Sequence, residues 1–188
     1  IILWSDSDAS NEGHIAVAND VIFNSVNGAT SSGLSTGGNI VLAGAADNGA
    51  NGGTASDGYP DGFARSASNN GIELSTDNTG DVSFYSGGGN VIMLGYSSNN
   101  VGSPTTDNIG INQFGGLVVN TGTGRLRIIG ESENYYGINL NQDSAAGVLK
   151  LDFISAATTD DAIFMRGVSA SDLGLVFNFS SNKQSSYS

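Results

Sequence analysis

An eight-residue phrase occurs twice in this chain, and it constrains the fold more than any other feature. The first copy begins at Gly37 and reads GGNIVLAG, and the second begins at Gly88 and reads GGNVIMLG. In each copy a turn precedes four apolar residues, and a glycine ends the run. A shorter phrase, glycine followed by isoleucine, occurs at Gly71, Gly110 and Gly137. Strands and turns that repeat without helices between them predict a chain built from similar, stacked coils.

The spacing of the phrases sets the expected coil length. The two long phrases are separated by 51 residues, which we interpret as two coils, and the step from Gly110 to Gly137 is 27 residues. Coils of about 20–27 residues predict roughly seven to nine rungs, which at about 4.8 Å per rung make a rod about 35–45 Å long. We therefore expect residues 1–188 to form one all-β domain, a parallel β-helix (β-solenoid), as a segment of a longer chain.

Short apolar runs separated by turn residues support this architecture. From Leu173 to Phe179 every second residue is large and apolar, so one face of that strand is predicted to be buried. Insertions are confined to polar stretches, chiefly residues 45–61 and 97–107, which we expect to protrude as loops from one edge of the core. An antiparallel sandwich or jelly roll is the competing geometry, but the Asn-Gly and Asp-Gly dipeptides are rarely flanked by apolar alternation.

Composition argues against several classes of partner. The chain has 6 basic and 18 acidic residues and a net charge of −12, so neither nucleic-acid binding nor attraction to anionic membranes is expected. No apolar stretch approaches the length of about 20 residues that crosses a bilayer, so membrane insertion is not expected either. Because there is no cysteine, stability must come from regular hydrogen bonding and a long core rather than from disulfides.

The order of these phrases along the chain resembles that of a known family. The opening ILWSDSD, then HIAV at His14, GGNIVL at Gly37, GIEL at Gly71 and GRLRIIG at Gly124, is similar to the filamentous-haemagglutinin-type repeats of very large secreted bacterial adhesins. The resemblance fades after Ser155. It implies a right-handed parallel β-helix, export across a Gram-negative envelope and placement at the cell surface. The family has no shared catalytic residues to carry over.

Two small clusters are the candidate binding sites. Asp6, Asp8 and Glu12 lie in a run of oxygen-bearing side chains that offers calcium several ligands within a tight turn. This run lacks the glycine and the terminal acid of an EF-hand, and a turn rich in Asp and Asn is the alternative interpretation. Tyr135 and Tyr136 are candidates for glycan binding, and adjacent residues of an extended segment are expected to direct one ring to each face.

The residues that could carry catalysis are sparse. His14 is the only histidine and is expected to be an edge or surface residue that begins a strand. With one histidine and no cysteine, the chain lacks the ligands of a zinc site.

Polysaccharide lyases and hydrolases also use parallel β-helices. A lyase would need an Arg or Lys base beside calcium, and of the six basic residues only Arg125 and Arg127 share a face. A hydrolase needs two carboxylates across the scissile bond. The candidate pairs are Asp57 with Asp61 and Asp160 with Asp161, but adjacent strand residues point to opposite faces. We therefore expect no enzymatic activity and no catalytic residue.

Together these features predict a structural or adhesive module of a secreted bacterial surface protein that forms a rod or filament segment. The open ends of a solenoid can template another chain, so the expected partners are a second copy, neighbouring repeats of the same chain, and host or matrix glycans. The alternative is a carbohydrate-binding or carbohydrate-active β-helix protein. No cofactor is expected apart from calcium.

Overall fold

The computed structural model describes residues 1–5, 13–27, 37–75, 80–98, 108–142 and 151–179. These residues form fifteen β-strands and one short 3-10 turn at Ala50–Gly52, and they contain no helix long and apolar enough to cross a membrane. The strands are β1 (Ile2–Ser5), β2 (Ile15–Val17), β3 (Ile22–Asn24), β4 (Ile40–Gly44), β5 (Ala64–Ser66), β6 (Ile72–Leu74), β7 (Asp81–Tyr85), β8 (Val91–Ser97), β9 (Ile111–Gln113), β10 (Gly116–Asn120), β11 (Leu126–Ser132), β12 (Ile138–Gln142), β13 (Leu151–Ile154), β14 (Ile163–Ser169) and β15 (Leu175–Phe179).

The strands pair in parallel and fall into three sheets. The first sheet stacks β1, β4, β8, β11 and β14, with β5 also paired to β8. The second sheet stacks β2, β6, β9, β12 and β15, and the third stacks β3, β7, β10 and β13. The chain therefore visits the three sheets in rotation and then begins the next level. The predicted all-β class is confirmed, and three sheets of parallel strands are consistent with a β-helix.

The repeated phrases mark successive levels of this stack. In the second sheet Ile72 lies opposite Ile111, and Ile111 lies opposite Ile138, so the 27-residue step is one coil. The long phrase marks the first sheet, where Ile40 lies opposite Val91. The two long phrases are thus hydrogen-bonded neighbours, and the interpretation of their separation as two coils is wrong.

An insertion accounts for the length of that coil. β8 is one continuous strand, but its neighbour in the preceding coil is split, with β4 beside its first half and β5 beside its second half. Residues 45–63 leave the sheet between the two halves, and the Gly44 amide donates to the Gly62 carbonyl at 3.1 Å across the base of this loop. The step from Ile111 to Ile138, which contains neither of the long polar stretches, spans only 27 residues.

The described residues supply five levels to the first sheet. The seven to nine rungs expected for the chain and its right-handed winding stay predictions.

The interior between the three sheets is the main core. Its fully buried members include Ile40, Leu42, Ile72, Phe84, Met93 and Leu117. At one corner the first and second sheets approach so closely that only glycine fits. A Cβ built on Gly130 would lie 2.1 Å from the Gly137 carbonyl oxygen, and one on Gly95 would lie 2.2 Å from the Gly110 carbonyl oxygen. This contact explains why a glycine ends the apolar run of β8.

Candidate functional site

The outer face of the first sheet carries a second hydrophobic cluster. Its buried members point away from the main core and are Val41, Ala43, Leu94 and Ile129. Tyr59 and Phe63 pack against them from the inserted loop. This loop, residues 45–63, is called the cover loop below. It lies against the sheet, which differs from the protruding loop that its polar sequence predicts.

Aspartate side chains hold the cover loop in shape. The buried Asp61 accepts hydrogen bonds through Oδ2 from the amides of Asn48 and Gly49, at 3.0 and 2.6 Å. Asp47 accepts from three consecutive amides on the far side of the loop, and Asp57 accepts from an amide of its own turn. The two acids considered above as a glycosidase pair, Asp57 and Asp61, therefore both bind loop backbone.

A cleft lies between the cover loop and the first sheet. Its volume is about 130 Å³, and a second cleft of about 90 Å³ adjoins it. The residues common to the two clefts are Gly52, Asn90, Ile92 and Arg127. Arg127 projects outward from β11, so the two clefts meet around its side chain. We regard this pair of clefts, called the Arg127 cleft below, as the candidate functional site.

Arg127 is partly buried, and its N–H groups have no hydrogen-bond partner among the residues that the structure describes. Its guanidinium carbon lies 4.9 Å from the ring centroid of Phe164, in a cation–π contact. None of the described residues accepts a hydrogen bond from it, and its buried Nε has no acceptor. Burial, followed by the positive charge of Arg166, lowers the pKa of Arg127. An arginine nevertheless stays protonated at neutral pH, so the site keeps a positive charge.

The neighbouring arginines differ in that each has a carboxylate partner. The guanidinium of Arg125 lies 3.1 Å from Asp161, and that of Arg166 lies 2.7 Å from Glu131. Both pairs are partly exposed to solvent, so each contributes little to stability. Their effect on the site is to neutralise the charges around Arg127 while leaving its own charge unpaired.

Two asparagines add further N–H donors to the cleft. Oδ1 of Asn39 accepts from the Asn90 amide, and Oδ1 of Asn90 accepts from the Arg125 amide, both at 2.9 Å. Because each side-chain oxygen is engaged, the NH₂ group of each asparagine points away from that bond, and no described residue accepts from it. Both asparagines line the larger cleft together with Arg127. The cleft therefore has several N–H groups that can donate hydrogen bonds to a ligand.

Alternation in the sequence predicts that Arg125 and Arg127 share one face, but it does not single out Arg127 as a binding residue, although the repeats contain a signal. Aligned by register, Arg127 takes the position that Ile92 has in the preceding coil and Phe164 in the following one. A cation that replaces an apolar residue at one level of a regular stack is a stronger indication of a binding site than the same cation in a loop. The register was needed to see this, because the phrase alone does not show which residues lie opposite Arg127 in the neighbouring coils.

The two candidate tyrosines lie elsewhere, in the turn between β11 and β12. Their ring centroids are 4.1 Å apart with planes inclined by 36°, so the rings of Tyr135 and Tyr136 pack together, and the expectation of one ring on each face is wrong. A side-chain hydrogen bond to Tyr135, followed by burial, raises the pKa of Tyr136 to about 12. The Tyr135 amide donates to Oγ of Ser132 at 3.0 Å, which anchors the turn. Glycan binding by this pair stays a prediction.

The remaining predicted site residues can be placed briefly. The calcium candidates Asp6, Asp8 and Glu12 lie outside the described residues. Within the described ranges no group of three or more His, Asp or Glu residues could hold a metal ion. His14 is exposed and immediately precedes β2, as expected.

No family model, curated protein or solved structure matches this chain. The resemblance to filamentous-haemagglutinin-type repeats therefore stays a prediction, and the function has to be argued from the structure itself.

Proposed function

We propose that this chain is a rod-forming structural or adhesive module of a secreted bacterial surface protein, and that further coils stack on its two ends. One observation carries the proposal. Among the described residues, the exposed large hydrophobic side chains lie on or beside strands at the two ends of the stack. At one end they are Ile1, Ile2, Trp4 and Ile22, and at the other they are Ile154, Ile163, Val168, Leu173 and Phe177.

In the part of the chain that the structure describes, the main core is less well covered at the same two ends. By register Ile163 lies opposite Leu126, which is 1% exposed and faces the core, yet Ile163 is 43% exposed. At the other end Phe23 stacks on Phe84 of the next coil, with ring centroids 4.9 Å apart and planes inclined by 10°. Phe84 is fully buried by this stacking, whereas Phe23 is only partly buried. A further coil at either end would bury these inward side chains as the central ones are buried.

A further coil would cover both the exposed apolar side chains and the unpaired strand edges at the ends of the stack. The edge strands β1 and β14 each have one side without a neighbouring strand in the described stack, and unpaired edges favour the addition of a parallel strand. Burial of apolar surface by the added coil would contribute roughly 25 cal/mol of stabilising free energy per Å². The added coil belongs either to neighbouring repeats of the same parent chain or to a second copy stacked end to end. Right-handed winding, placement at a Gram-negative cell surface and the lack of enzymatic activity are parts of this proposal.

Assembly of residues 1–188 over a range of concentrations tests the proposal. We expect sedimentation velocity to show elongated species that grow with concentration, and the emission of Trp4, the single tryptophan, to shift to shorter wavelength as its end is covered. Ile22→Asp and Leu173→Asp place a charge on one side chain at each end and should abolish growth. Thr54→Asp in the cover loop is the matched control and should assemble as the parent does. A monodisperse monomer at the highest concentration would contradict end-to-end assembly.

A second candidate, a carbohydrate-binding or carbohydrate-active β-helix protein, is favoured by the partly exposed Tyr135 and Tyr136. A glycan array is the direct test, with Tyr136→Ala beside the parent chain. Binding that disappears in the variant would support a glycan-binding surface in this turn, and an array without signal would remove this candidate.

A further inference from the structure

We infer that the Arg127 cleft binds the carboxylate group of an acidic saccharide, with Arg127 as the anion-binding residue. The inference concerns the side of the stack and is independent of assembly at its ends.

Arg127 carries a charge that no described carboxylate pairs with. Two other arginines on the same face have carboxylate partners, whereas Arg127 lies in a cleft, stacked on Phe164, and gives its N–H groups to no described residue. A partly dehydrated cation without a partner is unfavourable unless a ligand or water supplies acceptors. The guanidinium is a planar fork that binds a carboxylate through two parallel hydrogen bonds.

The cover loop approaches the Arg127 guanidinium closely at one position. Gly52 has φ +78°, and a Cβ built on it would lie 2.9 Å from an Nη atom of Arg127. The loop backbone therefore lies against the guanidinium, and a side chain at this position would displace it. The contact holds the arginine in the cleft, between the loop and the ring of Phe164.

The surrounding charges favour a carboxylate over a phosphate. One unpaired guanidinium supplies the positive charge for the ligand, and the carboxylates of Asp57, Asp61 and Asp161 line the two clefts. A monoanion adds one negative charge beside these three acids, whereas a phosphate dianion would add two and be repelled more strongly. The net charge of −12 also disfavours a densely charged polyanion, so the ligand carries an isolated carboxylate.

The other lining groups favour a sugar as the bearer of that carboxylate. Hydroxyl groups both donate and accept, and the larger cleft offers the NH₂ groups of Asn39 and Asn90 as donors and Asp57 as an acceptor. The aromatic ring of Tyr59 lines the same cleft. With about 130 Å³ the cleft is smaller than the roughly 300–1,000 Å³ usual for drug-sized ligands. It therefore suits one terminal uronate unit rather than a long chain.

Calorimetric titration with three probes tests the inference. The probes are a disaccharide that ends in glucuronate, its neutral counterpart that ends in glucose, and an acidic tripeptide. We expect the acidic disaccharide to bind at least tenfold more tightly than the neutral one, because a charge-assisted pair is lost with the carboxylate. Binding should weaken as salt is raised. In ¹H–¹⁵N spectra the amide signals of Gly52 and Asn90 should shift.

Variants of Arg127 locate the effect. Arg127→Gln should lose the tenfold preference for the acidic disaccharide, and Arg127→Lys should keep only part of it, because an ammonium cannot form the two parallel bonds. Arg166→Gln makes the same change of charge on the same face outside the clefts and should bind as the parent does. Thermal unfolding confirms that each variant is folded. If Arg127→Gln does not fold, the Lys variant and the amide shifts of the parent decide the question.

Three results would overturn the inference. The first is equal affinity of the parent chain for the acidic and the neutral disaccharide. The second is an equal loss of binding in Arg127→Gln and Arg166→Gln, which would indicate a general effect of charge. The third is tripeptide binding as tight as that of the acidic disaccharide, which would assign the cleft to acidic peptides.

Discussion

The side-chain oxygen of Asn39 accepts a hydrogen bond from the backbone amide of Asn90, 51 residues further along the chain, at 2.9 Å. Asn90 repeats the arrangement one coil later, with the amide of Arg125 as its donor. These bonds lie just before the strands of the first sheet and join consecutive turns. The asparagine of the repeated phrase therefore extends the backbone ladder by one side-chain bond per coil.

Removal of the Asn90 side chain should destabilise the stack. Asn90→Ala leaves the Arg125 amide without its acceptor, and we expect the free energy of unfolding to fall by about 1 kcal/mol. Asn90→Asp keeps an oxygen at the same place and should cost clearly less. Urea titration followed by far-UV circular dichroism measures both variants. An equal loss in the two would show that the hydrogen bond to Arg125 is not the cause.

Replacement of Gln113 by leucine should stabilise the protein. Gln113 is fully buried and lies opposite Leu74 and Leu140 in the second sheet. Neither atom of its side-chain amide has a hydrogen-bond partner within the described ranges. A buried polar group without a partner costs about 1–3 kcal/mol, so Gln113→Leu should raise the free energy of unfolding by up to that amount. The reverse change in the next coil, Leu140→Gln, should lower it. Denaturant unfolding of the two variants checks the pair, and a destabilised Gln113→Leu would indicate a buried water at the amide.

The glycine contacts at the corner of the sheets should not tolerate a methyl group. A Cβ on Gly130 would lie 2.1 Å from a carbonyl oxygen of the adjoining strand, so we expect Gly130→Ala to cost about 3 kcal/mol or more, or to prevent folding. Gly38 is the matched control, because a Cβ there meets nothing within 4 Å. Gly38→Ala should change the melting temperature little. Similar losses of stability in Gly130→Ala and Gly38→Ala would show that the close contact is not the reason for a glycine at position 130.

Alkaline titration should reveal the environment of Tyr96. Burial, followed by the hydrogen bond from its hydroxyl to Glu133 at 2.5 Å, raises the pKa of Tyr96 to about 12. Because folding raises this pKa, the stability linked to Tyr96 is complete below pH 10 and is lost as the pH rises from 10 through 12. The difference in tyrosinate absorbance between the parent chain and Tyr96→Phe isolates this residue. Glu133→Gln should lower the pH at the midpoint of the Tyr96 titration. An unchanged midpoint would show that burial alone raises the pKa of Tyr96.

Local patterns allowed much of the architecture to be predicted. Short apolar runs, turn residues and the return of isoleucine after glycine led to stacked parallel strands, because each phrase carries its own strand, turn and close glycine contact. The 27-residue step from Ile111 to Ile138 was read correctly as one coil. The 51-residue step from Ile40 to Val91 was not, because the sequence distance between two strands does not distinguish an extra coil from an insertion. Only the hydrogen-bond register separates these cases.

The sequence by itself determined that the chain forms strands that pair level by level, since backbone conformation and inward apolar side chains are local properties. Tertiary structure alone decided where the cover loop lies and what it encloses. Val41 and Leu94 point away from the main core, and the cover loop, held in shape by its own aspartates, buries them. That packing places Arg127 in a cleft rather than on an open sheet. Such a site depends on segments distant in sequence meeting across one face, which no repeated phrase encodes.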